Sequence, residues 1–199
     1  MKPKYLLFMI IPFIIILFSF KLLVFNYDFY EKQFDHELDK DFVKGNTLNL
    51  FEYFKGNSEL SDNFNEKEKL HLKDVKDLIN KFLFMFYVLS MIFIISIVCL
   101  LYKKDFNAIR FSFIVGGCLT LLLILILVLF DFSELFLRFH YLIFSNELWL
   151  LNPETDLLIN IFTENFFFNF FKRIILNSSI ISCILIFVGV LIKNVRSQY

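Results

Sequence analysis

The sequence lacks the short motifs by which many enzyme classes are recognised. It contains no CxxC pair, no HExxH helix, no Gly-rich phosphate loop and no serine nucleophile elbow. Only three of its 199 residues are histidine and only three are cysteine. The formal net charge is zero, so no nucleic-acid partner is predicted. A dithiol redox site, a P-loop nucleotide site and a triad on an α/β-hydrolase fold are therefore not expected.

Cysteine is scarce, and its positions argue against disulfides. Cys99, Cys118 and Cys183 all fall within long apolar runs. We expect them to be small packing residues, with no disulfide framework. Gly116 and Gly117, which precede Cys118, predict a close approach between helices.

Long apolar runs are the dominant feature that is present. Hydrophobic residues make up 58% of the chain, and phenylalanine alone accounts for thirty positions. Each of four runs is about twenty residues long, which matches the roughly 30 Å hydrocarbon thickness of a bilayer. The four runs cover residues 5–25, 82–102, 111–130 and 174–192. The sequence predicts one all-α integral membrane domain over residues 1–199, with four transmembrane helices.

The first apolar run admits two interpretations. Lys2 and Lys4 precede it, as in a cleaved signal peptide. Its apolar stretch is long, however, and no small-x-small cleavage pattern follows it. An uncleaved anchor is the favoured interpretation, with Lys21 reaching toward the headgroups at the far end.

The distribution of charge predicts the orientation of the spans. The short segments on one side hold seven basic residues and a single acid, Asp105. The longer segments 26–81 and 131–173 hold more acids than bases, thirteen to nine and six to three. Basic residues accumulate in cytoplasmic segments. Both termini are therefore predicted to be cytoplasmic, and the two longer segments extracytoplasmic.

Segment 26–81 is predicted to form a helical cap. A short helix is expected around Leu48 to Phe54, bounded by Gly45 and Gly56. A second helix is expected to begin after Asn65, which caps it together with Glu68, and to run without a break into the second span.

Segment 131–173 is too charged to cross a membrane and too apolar to lie in water. An interfacial helix, a break near Asn152 and Pro153, and a second interfacial helix fit best. Asn152 is expected to cap the second helix, with Pro153 at its first position. Trp149 suits the headgroup level.

Two histidines are the candidate chemical groups. His71 and Asp74 share one face of the helix that leads into the second span, and His140 shares a stripe with apolar residues of the first interfacial helix. His36 lies in a charged stretch and is expected to be solvated. Imidazole exchanges protons near neutral pH, and ionisable groups at a membrane boundary are costly. A base with an electrostatic stabiliser, and with the nucleophile supplied by the substrate, is the predicted arrangement.

A metal site is the alternative use of the same residues. His71 and Asp74, three positions apart, are geometrically possible ligands. A transition metal would need a further strong ligand beside them, and none stands out. No metal and no cofactor are predicted.

The two stretches that carry these residues resemble a known family. They are "FNEKEKLHLKDVKDL" at 64–78 and "FHYLIFSNELWLLNPETDLLINIFTENFF" at 139–167. Both are similar to motifs of small four-span bacterial membrane proteins that include the lipoprotein intramolecular transacylases. The stretches "FY" at 29–30 and "YFKG" at 53–56 fit the same family. Thr163, Asn169 and Tyr141 depart from its usual pattern.

The resemblance implies an acyl transfer at the water–lipid boundary. The sn-2 acyl chain of a diacylglyceryl lipoprotein would move to the α-amine of its N-terminal cysteine, which leaves a lyso-form lipoprotein. Diacylated lipoproteins and membrane lipids are the partners implied, in a bacterial cell membrane. His71 and His140 are the predicted catalytic residues. The predicted supporting or substrate-binding residues are Tyr30, Asp74, Asn146, Trp149 and Asp156.

Two other functions are compatible with a four-span chain. A non-catalytic scaffold would use the cap to bind another protein and would tolerate replacement of either histidine. A small transporter is less compatible, because three of the four runs contain no charged residue and paired broken helices are not visible.

Overall fold

The computed structural model describes residues 3–34 and 39–192, and this part of the chain is helical. It contains no β-strand. The helices are α1 (Pro3–Leu23), α2 (Tyr27–Glu31), α3 (Lys40–Lys55), α4 (Glu66–Tyr102), α5 (Phe106–Val128), α6 (Phe132–Ile143), α7 (Leu157–Ile161) and α8 (Glu164–Leu191). The predicted all-α class is confirmed.

Four of these helices are long and apolar enough to cross a membrane. They lie at Leu6–Leu23, Glu66–Tyr102, Phe106–Val128 and Glu164–Leu191. The second contains nine charged side chains between residues 66 and 81 and none between 82 and 102. We therefore place its membrane-spanning part at 82–102, as the sequence predicts.

The chain divides into two compact units. The membrane unit contains residues 3–21, 82–129 and 173–192, which hold most of the apolar helix surface. The site unit contains residues 22–34, 39–81 and 130–172. All of the candidate site residues belong to the site unit.

Two glycines bring three helices of the membrane unit together. A Cβ atom added to Gly116 would lie 2.7 Å from the Cδ1 atom of Ile11 and 2.8 Å from its Cβ atom. A Cβ atom added to Gly117 would lie 2.5 Å from Ile186. The predicted close approach is confirmed, because α5 meets α1 at the first glycine and α8 at the second.

We predict that Gly116→Ala lowers the free energy of unfolding by about 1–3 kcal/mol, the usual cost of overpacking. The Cβ and Cγ2 atoms of Ile11 are close to its backbone, so they cannot swing aside. Gly45→Ala is the matched control, since it lies within α3 with open space around it and should be neutral or stabilising. Thermal unfolding in detergent compares the two variants. A Gly116→Ala midpoint equal to that of the parent would contradict this packing.

Three polar side chains of the membrane unit have partners within it. The Ser178 hydroxyl donates to the Ser19 hydroxyl at 2.9 Å, and Ser19 donates to a backbone carbonyl of its own helix. Lys21 extends over the rings of Phe86 and Tyr87, with its Nζ atom 5.1 and 4.8 Å from the ring centroids.

The three cysteines are free, as the sequence predicts. Cys99, Cys118 and Cys183 are exposed on the surface of the membrane unit. The expectation that they are small packing residues is therefore wrong, although all three lie within the spans as predicted. A thiol is small and apolar enough for a surface that faces lipid.

An aromatic core holds the site unit together. Tyr30 lies at its centre, with ring centroids 4.9 Å from both Phe51 and Phe166 and 6.0 Å from Phe162. The Tyr30 hydroxyl donates to the carbonyl oxygen of Val24 at 3.0 Å. This core joins α2, α3 and α7 to the first turn of α8.

Two helix boundaries differ from those predicted. α3 begins at Lys40, since the Asp39 carboxylate accepts from the backbone N–H groups of Asp41 and Phe42. Gly45 lies within this helix rather than at its start. Gly56 does end it, with a φ of +84° that favours glycine.

The second interfacial helix does not begin at Pro153. Residues 152–156 form a turn in which the Asp156 carboxylate accepts from the Asn152 N–H at 2.8 Å. The Asn152 side chain accepts from the Glu154 N–H, so it caps this turn instead of a helix. α7 therefore starts at Leu157, after Asp156.

Candidate active site

The first turn of α4 positions His71. The Asn65 side chain accepts from the Glu68 N–H at 3.0 Å, and Glu68 accepts from the Asn65 N–H at 2.7 Å. This is the predicted capping box. His71 follows Glu68 by three residues, so both lie on the same buried face, and only 7% of His71 is exposed.

Helix α6 positions His140. Asp131 caps the helix by accepting from the Glu134 N–H, and α6 ends at Ile143, because the backbone becomes extended at the C-cap residue Phe144. The Nδ1 atom of His140 lies 2.7 Å from the carbonyl oxygen of Phe136. A carbonyl only accepts, so Nδ1 must carry the proton that is donated. In neutral His140 the lone pair is therefore on Nε2.

Phe144 lies against both histidines. Its ring centroid is 5.2 Å from that of His71 and 5.7 Å from that of His140. The two imidazole centroids are therefore separated by at most the sum of these distances, about 11 Å. The site unit thus brings together the two histidines that the sequence singled out.

Trp149 also packs against His140. The two ring centroids are 4.9 Å apart with an interplanar angle of 33°, and Tyr141 meets the indole edge-on at 5.0 Å. Aromatic rings thus surround His140 on several sides, since Phe136 and Phe139 also contact it.

Asp74 does not hydrogen-bond to His71, although the two residues share one face of α4. Its carboxylate accepts from the Asn146 side chain at 2.9 Å, and Asn146 in turn accepts from the Leu148 N–H. The Nδ1 atom of His71 is buried without a hydrogen-bond partner in the described part of the chain. Asp74 therefore ties α4 to the loop that leads to Trp149.

Two predicted residues lie apart from the histidines. The Asp156 carboxylate accepts from the Asn65 side chain at 2.9 Å and from the Thr155 hydroxyl at 2.9 Å. Tyr30 lies in the aromatic core, and its ring contacts are with phenylalanines. Neither residue has a hydrogen bond or a ring contact with His71 or His140.

Burial keeps the histidines neutral. Desolvation is the main cause that lowers the pKa of His71 to about 4, and the nearby His140 lowers it further while Asp74 opposes the shift. Burial also lowers the pKa of His140, against the hydrogen bond to Phe136. The hydrogen bond that the Asp156 carboxylate accepts from the Asn152 N–H is the main cause that lowers the pKa of Asp156.

Residues 3–34 and 39–192 contain no group of three or more His, Cys, Asp or Glu side chains suited to a metal ion. His36 lies outside the described residues. No hydroxyl or thiol in the described part hydrogen-bonds to either His71 or His140. The arrangement offers two neutral imidazoles, and it places no side-chain nucleophile in hydrogen-bond contact with them.

Glu68 is a site-unit residue whose full role the sequence does not reveal. It is only 1% exposed, and its second carboxylate oxygen accepts from the Leu158 N–H at 2.6 Å. The capping-box pattern accounts for one oxygen alone. A contact across ninety residues of sequence leaves no local signal.

Comparison with known proteins decides the family. The profile of the family described as lipoprotein intramolecular transacylase Lit matches residues 5–167. The chain belongs to this family. It is an acyltransferase of the membrane, and the non-catalytic scaffold alternative is not favoured. No curated protein matches the sequence.

Solved structures agree with this family. The chain is similar to the membrane-integral lipoprotein intramolecular transacylase Lit of Bacillus cereus, with 25% identity, 94% of each chain covered and a TM-score of 0.72. A variant of that protein with a histidine replaced by arginine has 23% identity and a TM-score of 0.76, over 96% of this chain and 90% of the other. A variant with a histidine replaced by alanine has the same identity and TM-score, over 96% and 91%.

Proposed function

We propose that this family member moves the sn-2 acyl chain of a diacylglyceryl lipoprotein to the α-amine of its N-terminal cysteine. The product is a lyso-form lipoprotein that keeps two acyl chains. The observation that carries the proposal is the pair of neutral imidazoles that both contact Phe144, with no hydroxyl or thiol of the described residues hydrogen-bonded to them. Such a site suits a substrate that brings its own nucleophile.

His140 is the proposed general base. Its Nε2 atom has the free lone pair, because Nδ1–H donates to Phe136. The substrate amine attacks the ester carbonyl carbon, and Nε2 accepts a proton from the nitrogen. The imidazolium then returns this proton to the glycerol oxygen as the C–O bond breaks. One ester and one amine become one amide and one alcohol, and the base is regenerated.

His71 is the proposed electrostatic stabiliser. Its low pKa keeps it neutral at physiological pH, and a neutral imidazole still has one N–H group to donate. Tetrahedral intermediates develop a negative oxygen, and a positioned donor in other acyl-transfer sites is worth about 3–4 kcal/mol. A buried donor needs no reorganisation when that charge develops.

The remaining predicted residues have supporting roles in this proposal. Asp74 and Asn146 hold the 144–149 loop against α4, and Trp149 restricts the orientation of the His140 ring. Asp156 organises the turn that follows, and Tyr30 stabilises the aromatic core. Because ester and amine belong to one substrate, the site gains proximity without binding two molecules.

The direct test is the location of the acyl chains after reaction. Purified protein in lipid is incubated with a synthetic diacylglyceryl lipopeptide, and the product is fragmented in a mass spectrometer. The proposal expects one acyl chain on the N-terminal amine and one on the glycerol. An unchanged acyl arrangement with a folded protein would refute the proposal.

We further propose a bacterial cell membrane as the location, with both termini cytoplasmic. The seven-to-one excess of bases over acids in the short segments supports this orientation. Ser61→Cys and Ser197→Cys variants, made in a background without the three native cysteines, test it with a membrane-impermeant thiol reagent. In intact cells only Ser61→Cys should react. Labelling of Ser197→Cys from outside would contradict the proposed orientation.

A further inference from the structure

We propose that Glu68 is a positioning residue for acyl transfer. From the first turn of α4, its carboxylate fixes the segment that follows Trp149 and thereby sets the His140 side of the site relative to His71. The inference rests on the proposed role of the two histidines, and it adds a residue whose carboxylate hydrogen-bonds to neither imidazole.

Both oxygens of Glu68 are committed to backbone N–H groups. One accepts from Asn65 at 2.7 Å, within the capping box, and the other accepts from Leu158 at 2.6 Å. A buried carboxylate is costly unless it is satisfied, and bonds to a charged acceptor are stronger than neutral ones. The Leu158 bond therefore fastens α7 to α4.

The Asp156 side chain does not cap α7. It is the N-cap residue of α7, yet it forms no side-chain bond to that helix. Its carboxylate instead accepts from the Asn152 N–H, the Thr155 hydroxyl and the Asn65 side chain. Glu68 supplies from another helix the acceptor that α7 lacks locally.

Lys67 adds a third attachment to the same segment. Its ammonium donates to the carbonyl oxygen of Leu150, the residue that follows Trp149. Residues 65, 67 and 68 thus bind residues 156, 150 and 158, respectively. His71 is one helical turn further along α4 from Glu68, and Trp149 covers His140. These three hydrogen bonds, here called the clasp, connect the part of α4 that carries His71 to the segment that follows Trp149.

The experiment compares Glu68→Gln with Glu66→Gln. Glutamine keeps the volume of Glu68 but replaces one acceptor oxygen with an NH₂ group, so one of the two backbone N–H groups loses its partner. We expect kcat to fall about ten- to a hundredfold, as for other small misplacements of reacting groups. KM should stay within about threefold, because substrate contacts are retained. Glu66 has the same charge but is exposed, so its variant should match the parent.

A second readout needs no substrate. Trp149 is the single tryptophan of the chain, so its fluorescence reports directly on this segment. In Glu68→Gln the indole should become more accessible to acrylamide quenching, whereas Glu66→Gln should leave quenching unchanged. A merely structural role elsewhere in the fold would not move this signal together with kcat.

The outcomes separate this inference from the proposed function. Full activity in Glu68→Gln, or a lower kcat without a change in Trp149 quenching, would overturn the positioning role. Full activity in both His71→Ala and His140→Ala would overturn the proposed site, while the quenching comparison still tests the clasp. If Glu68→Gln does not fold, Lys67→Gln decides the question against Lys73→Gln. Lys67→Gln should lower kcat and make Trp149 more accessible to quenching. Parental kcat together with parental quenching in Lys67→Gln would overturn the inference.

Discussion

His140→Ala is expected to lower kcat by about 10²–10⁴, the usual contribution of a positioned general base. The variant loses the Nε2 lone pair that accepts the amine proton. His71→Ala is expected to lower kcat by about 10²–10³, as removal of an oxyanion donor does elsewhere. The double variant should lose far less than the product of the two factors, because groups that act on one transition state are not additive. Steady-state acyl transfer with a diacylglyceryl lipopeptide measures all three.

Matched controls separate chemistry from folding. Leu142→Ala changes an exposed residue of α6, and Lys73→Ala changes an exposed residue of α4 two positions from His71. Both should keep parental activity, and all variants should keep their thermal midpoints within a few degrees of the parent. Parental kcat in a folded His140→Ala variant would reduce His140 to a packing residue of α6.

The pH dependence of kcat/KM is the second large effect. The attacking amine has a reference pKa of about 8, so kcat/KM should fall about tenfold per unit below it. A general base acts when unprotonated, so its contribution is present above its pKa and lost below it. Burial lowers the pKa of His140 from 6.5, and that of His71 is about 4. The profile should therefore keep a slope of one down to pH 6.5 and steepen only below it.

An ordinary solvated histidine would give a different profile. Its second inflection would lie at about 6.5, the reference pKa. Steepening above that pH, or a flat profile between pH 6.5 and 8, would contradict the account. Thermal midpoints must be measured at each pH together with the rates, because the stability of the protein also depends on pH. In the unfolded chain His71 has its ordinary pKa. Because its folded pKa is lower, the free energy of unfolding decreases as pH falls from about 6.5 toward 4.

The spans and the long helix α4 could be predicted from the sequence because local signals specify them. Apolar runs of about twenty residues mark the spans, and the Asn65–Glu68 capping box marks the start of α4. The amphipathic stripe of α6 also placed His140 with the residues that pack against it. These features depend on neighbours within a few positions.

Two of the features that were missed depend on distant partners, and a third depends on a side chain that replaces a local helix cap by a turn. Asn152 and Pro153 are typical of a helix start, but the Asp156 carboxylate recruits the Asn152 N–H into a turn. Asp74 follows His71 by one turn, yet its carboxylate binds Asn146, seventy-two residues away. The second bond of Glu68 spans ninety residues. Periodicity shows which face a side chain occupies, and it does not show which distant polar group will meet it.

The central claim is that the substrate amine attacks within its own molecule, without an acyl-enzyme. Two diacylglyceryl lipopeptides test it most directly, one with isotopically heavy acyl chains and the other with a heavy peptide. They are mixed with the reconstituted protein, and the N-acylated products are fragmented in a mass spectrometer. The account predicts that every product carries the acyl chains of its own peptide and that no acylated protein fragment forms. Exchange of chains between the two peptides, or an acyl group on the protein, would contradict it.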